Sequence, residues 1–91
     1  MTEQEKEIML IAAEECAEVT QMVSKCLRFG LESSHPHEIM NNSNRLAIEI
    51  GDLLCMIDLM TEHGIVNRDV IYEASLLKRD KLKIWSTIFT N

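Results

Sequence analysis

Residues 45–63 read RLAIEIGDLLCMIDLMTEH, and this stretch decides the fold class. Its apolar side chains fall on nearly every side of a helix, so such a helix is buried on more than one face. Three helices of a single chain cannot readily supply that much cover. The helix is predicted from about Asn44 to His63, stopped by Gly64 and capped by Asn42, Ser43 or Asn44. Upstream, Thr2 and Glu5 form a capping box that opens a first helix. That helix is predicted to run to Gly30, roughly 40 Å at 1.5 Å per residue. Ile8, Ile11, Ala12, Val19, Met22, Val23 and Cys26 form its apolar stripe. Between the two helices, LESSHPHEIMNNS holds the only proline and reads as a connector with a short turn after Pro36. A third helix is predicted to begin after Asn67. It carries Asp69 in its first turn and Lys78, Arg79, Lys81 and Lys83 towards its end, the charge order that suits the helix dipole.

Composition agrees with an all-α chain. One proline, three glycines and four aromatics in 91 residues are too few for a many-stranded sandwich or barrel. The length predicts a single domain over residues 1–91, which buries only about 60 to 65% of its unfolded surface by itself and so is open to completion by partner chains. A net charge of −6 argues against general affinity for nucleic acid or anionic lipid. Cys16, Cys26 and Cys55 are odd in number and lie within helical patterns, which reads as reduced core thiols of a cytoplasmic protein. MTEQEKEIML is acidic where a signal peptide is basic, and Leu46–Met60 is too short and too acidic to span a bilayer. Met9, Met22, Met56 and Met60 read as core or interface filling.

Four carboxylates fit this pattern badly. Glu15 and Glu18 lie three apart on helix one, and Glu49 and Asp52 three apart on helix two, so each pair projects from one helix face. Glu49 sits between Ile48 and Ile50, and Leu53 and Leu54 follow Asp52. Acids in such surroundings require cations, because a buried ionised carboxylate is costly unless paired or bound to metal. No Lys or Arg on these helices lies within one turn of the four. An all-oxygen set suits Mg²⁺ or Mn²⁺ better than Zn²⁺. The other reading is a polar, solvent-facing stripe, and spacing by itself does not choose. A di-iron bundle needs two Glu-x-x-His pairs on long helices; only Glu32–His35 is present, between Gly30 and Pro36. His35, His37 and His63 receive no role.

The sequence Glu14-Glu15-Cys16-Ala17-Glu18, followed by Glu49-Ile50-Gly51-Asp52, resembles the EExxE and ExxD motifs of the MazG-like all-α nucleoside triphosphate pyrophosphohydrolases. The resemblance continues through IEIGDLLCMIDLMTEHGIVNRDVIYEA and covers roughly Glu7 to Trp85. It implies a MazG-like helical bundle of long antiparallel helices, which the all-round apolarity of helix two predicts to assemble through that helix into a homodimer or homotetramer. It also implies Mg²⁺-dependent cleavage of a nucleoside triphosphate to the monophosphate and pyrophosphate, serving house-cleaning or control of the nucleotide pool. Glu15, Glu18, Glu49 and Asp52 match the family's metal ligands. The family's third-helix lysine falls on Lys81; Lys78 and Lys81, one turn apart, read either as holding the β and γ phosphates or as a solvated helix end, and Lys78, Arg79 or Lys83 are the candidates to replace the family's arginine. Glu14 is a candidate general base through water, or a surface acid. Two departures stand out: the thirty residues from Val19 to Ile48 are at the long end for the family, and Ile84 and Trp85 stand where an arginine often follows the lysine. Trp85, Tyr72, Phe29 and Asn41, Asn42 and Asn44 could meet a base, and none is singled out. The readings of other classes are a helical interaction module, with solvated acidic faces and helix two as assembly surface, and a catalytically inactive nucleotide-binding relative.

Overall fold

The structure is a computed structural model that describes residues 1–90. Within them lie three helices and no strand: α1 (Glu3–Phe29), α2 (Asn42–Glu62) and α3 (Arg68–Trp85). Each begins on a side-chain cap. Thr2 Oγ1 accepts from the Glu5 N–H at 3.0 Å, and Asn67 Oδ1 accepts from the Asp69 and Val70 N–H groups at 2.8 and 3.2 Å. Gly30 ends α1 with φ +94° and donates to Cys26 O at 2.8 Å, a conformation that glycine alone takes without a Cβ penalty.

The cap of α2 is Asn41, one residue before any of the three expected, and its Oδ1 accepts from the Asn44 N–H at 2.9 Å. The helix starts early because Asn42 is drawn inside. Its side chain is 5% exposed and donates to Gly30 O at 3.1 Å, while its backbone N–H donates to Ser33 O at 2.8 Å. These bonds tie the start of α2 to the end of α1. The connector turns at Pro36–His37, where Glu38 N–H donates to His35 O at 2.8 Å, as the proline suggested.

α1 and α2 pack as an antiparallel hairpin along a seam with the alternating four-and-three spacing of coiled-coil contacts. On α1 the seam is Ile8, Ala12, Glu15, Val19, Met22 and Cys26; on α2 it is Asn42, Leu46, Glu49, Leu53, Met56 and Met60, all buried or half-buried. Ile8, Ala12 and Met56 form the core cluster, with Ile11, Leu59, Met60 and Ile65 against it. Of the methionines, Met22 and Met56 are buried, whereas Met9 is exposed. Cys26 is half-buried beside Asn42 O, but Cys16 and Cys55 are exposed free thiols. They are not core thiols as the sequence suggested, because positions 16 and 55 fall beside the seam and not on it.

α3 buries no residue and does not pack along the hairpin. The Cα trace measures 42 × 38 × 14 Å, little more than one helix diameter thick. A stable domain places at least two layers around a core, and this chain presents one. Its radius of gyration is 16.1 Å, against about 12 Å for a compact chain of this length. Its accessible surface is 7263 Å², against about 5400 Å² for a folded monomer of its mass. Ile48, Ile50 and Leu54 of α2 are exposed in the single chain.

Candidate metal centre

The seam places glutamates where a coiled coil wants apolar side chains. Glu15 on α1 and Glu49 on α2 face one another across the hairpin, and Asp52 flanks them one turn on from Glu49. One carboxylate oxygen from each of the three lies within 4.8 Å of the others. Two oxygens on opposite sides of a bound Mg²⁺ are about 4.2 Å apart and those around Ca²⁺ about 4.6 to 5.2 Å. That limit admits oxygens sharing one divalent cation.

Glu15 carries the strain of the arrangement. Its Oε2 is buried and has no hydrogen-bond partner, an uncompensated acceptor of the sort that folded proteins rarely leave. Burial, together with the charges of Asp52, Glu49, Glu18 and Glu14 in decreasing order, holds its carboxyl above the ordinary glutamate range. No lysine or arginine among the described residues relieves it, since the only ion pairs are Lys6–Glu3, Arg45–Glu38 and Lys83–Asp80. An all-oxygen donor set of this kind is one that could hold a hard divalent ion.

The structure thus brings together three of the four acids singled out from the sequence. Glu18 is exposed on the next turn of α1 and reaches Glu15 through its charge alone. Glu14 is exposed and off the seam. Lys78 and Lys81 lie on α3, solvent-exposed and without ion-pair contact to any of the four acids. Tyr72 and Trp85 are likewise exposed on α3, whereas Phe29 lines a cavity at the connector. Arg45, just over one turn before Glu49 and shared by two adjoining cavities, was given no role from sequence. The signal for it was its position on the helix face leading from the connector to Glu49. No family model, curated protein or solved structure matches the chain.

Proposed function

We propose that the chain is a divalent-metal-dependent nucleoside triphosphate pyrophosphohydrolase of the MazG-like kind, working as a homodimer or homotetramer, with Mg²⁺ the natural ion and Mn²⁺ a substitute. The observation that carries this reading is the convergence of Glu15, Glu49 and Asp52 from two helices on a common point, with a buried Glu15 oxygen left unpartnered. Those three hold the metal, and Glu18 joins them by rotation of an exposed side chain one turn from Glu15. When bound, the ion offsets the charge between substrate and carboxylates, polarises the α-phosphoryl group and acidifies the attacking water.

The chain's own contribution is positioning, which dominates phosphoryl-transfer catalysis. The hairpin seam fixes Glu15 and Glu49 at a set separation, and their half-burial keeps the site from being shielded fully by water. Glu14 is assigned the role of general base through water; its exposed position off the seam equally suits a surface acid. Lys78 and Lys81 are assigned to the β and γ phosphates through closure of α3 or through α3 of a neighbouring copy. Assembly is supported by the single-layer shape and by a surface roughly 1800 Å² per chain larger than that of a compact monomer, about 3600 Å² for a pair, the range of obligate homodimer interfaces.

The test is pyrophosphate release from a panel of NTPs and dNTPs with and without Mg²⁺. Glu49→Gln and Asp52→Asn are expected to lower turnover by about two orders of magnitude or more while leaving the circular dichroism spectrum unchanged. Full turnover by either variant would remove the metal assignment. One observation favours the interaction-module reading, namely the exposed apolar stripe of α3, and Mg²⁺-independent behaviour throughout the panel would select it.

A further inference from the structure

A second cavity, of about 260 Å³, opens where the end of α1, the connector and the start of α2 meet. Lys25, Phe29, Ser33, His35, Asn42 and Arg45 are among the residues that line it, and no acidic residue does. In a chain of net charge −6 that is a local reversal of sign. Lys25 is half-buried and makes no ion pair among the described residues. Arg45 has one, with Glu38 at 3.9 Å, at the outer edge of ion-pair range, and that acid stands outside the cavity. Two cations are therefore held at one concave site with their charge largely unanswered.

The polar lining is built rather than incidental. Asn42 is held in place by its bond to Gly30 O, and its Oδ1 receives no hydrogen bond among the described residues. The backbone of the α2 terminus is not the attraction: the N–H groups of Asn42, Ser43 and Asn44 are already taken by Ser33 O, Leu31 O and Asn41 Oδ1. A ligand here meets side chains: two cations, serine hydroxyls, an amide oxygen and the ring of Phe29.

We infer that this cavity binds a phosphoryl-bearing anion, with Lys25 and Arg45 as its charge partners. Guanidinium forks and ammonium groups are the side chains suited to phosphate oxygens. Arg45 also lines a neighbouring cavity together with Glu38 and Glu49, so it stands between this site and the carboxylates. The inference needs no metal, because the cavity contains no carboxylate, and it stands whether or not the hydrolase reading holds.

The experiment is calorimetric titration of the full chain with inorganic pyrophosphate in buffer stripped of divalent ions on a chelating resin. Without metal the carboxylate cluster repels the probe, so any saturable binding belongs elsewhere. One site per chain is expected. Lys25→Gln and Arg45→Gln are each expected to weaken it at least about tenfold, the usual scale for losing one charged hydrogen-bonding partner. Lys25→Arg should retain it, and so should Lys6→Gln, at the opposite end of α1 from the cavity. Because a glutamine variant could perturb the connector, amide shifts of the unmodified protein provide a second readout. Pyrophosphate should move residues 33–35 and 42–45 and leave 78–83 in place. Absence of saturable binding, or shifts confined to α3, would overturn the inference. Parallel titrations with a nucleoside triphosphate separate the sources of the anion: tighter binding than pyrophosphate identifies a nucleotide tail with its base against Phe29, and equal binding identifies the free anion.

Discussion

The α1–α2 hairpin and α3 are built from similar material and end in different states. Both have apolar residues at helical spacing, and both begin on asparagine or threonine caps. The hairpin buries Ile8, Ala12, Met22 and Met56, whereas α3 leaves Val70, Leu77 and Ile84, each seven residues from the next, largely exposed. The difference is that α1 and α2 are tied at the connector by Asn42 and Gly30 and so face each other along their length. α3 follows a tight turn at Gly64, φ +71°, which directs it away from the seam. An amphipathic helix gains most of its stability from burying its apolar face, so an unpartnered α3 is incomplete.

The sharpest way to break this comparison is to ask whether α3 is covered in solution. Light scattering of the purified chain is expected to give a dimer or tetramer, and Leu77→Glu is expected to dissociate it to monomers by placing a charge on the exposed stripe. A wild-type chain that scatters as a monomer at micromolar concentration would mean that α3 is free and the single-layer form is the whole structure. Next in size is the core of the hairpin. Met56→Ala should cost about 2 to 5 kcal/mol by removing buried contacts with Ile8 and Ala12, measured by urea denaturation. The same truncation at exposed Leu76 should cost far less if α3 is free, and a comparable amount if a partner covers it.

The smallest expected effect comes from Glu15. Its folded-state pKa lies above the unfolded value of 4.5, with desolvation as the first cause. In the folded state it holds its proton to higher pH, so as pH rises from about 4.5 through the raised value the protein loses stability. Glu15→Gln should therefore raise Tm slightly near neutral pH in metal-free buffer and flatten this pH dependence. Mg²⁺ should raise the Tm of the wild-type chain more than that of the variant, since binding to the folded state alone stabilises it. A larger Mg²⁺ shift in the variant would show that the ion does not sit at Glu15.

Much of the hairpin is legible in the amino-acid sequence. Thr2, Gly30, Gly64 and Asn67 mark helix ends through local backbone chemistry, and each acts where expected. The α2 cap lies one residue before the expected positions, since Asn41, Asn42, Ser43 and Asn44 are all competent caps. What separates them is burial of Asn42 against α1, a contact across the connector. The four acids were identified as a set, but spacing of three within each helix cannot tell which member of a pair lies on the seam. The heptad count from Ile8 to Cys26 and from Asn42 to Met60 does so, selecting Glu15 and Glu49 over Glu18. The exposure of Cys16 and Cys55 follows from the same count.

The helical class, the three helices, the caps of α1 and α3, and the presence of acids among apolar neighbours follow from the amino-acid sequence, because these depend on interactions within a few residues of chain. Only the tertiary structure decided that Glu15, Glu49 and Asp52 converge, that one Glu15 oxygen is left buried and unpartnered, and that Lys25 and Arg45 share a cavity free of acids. Those facts depend on how two helices pair in register across a connector, and register is set by packing along the whole seam.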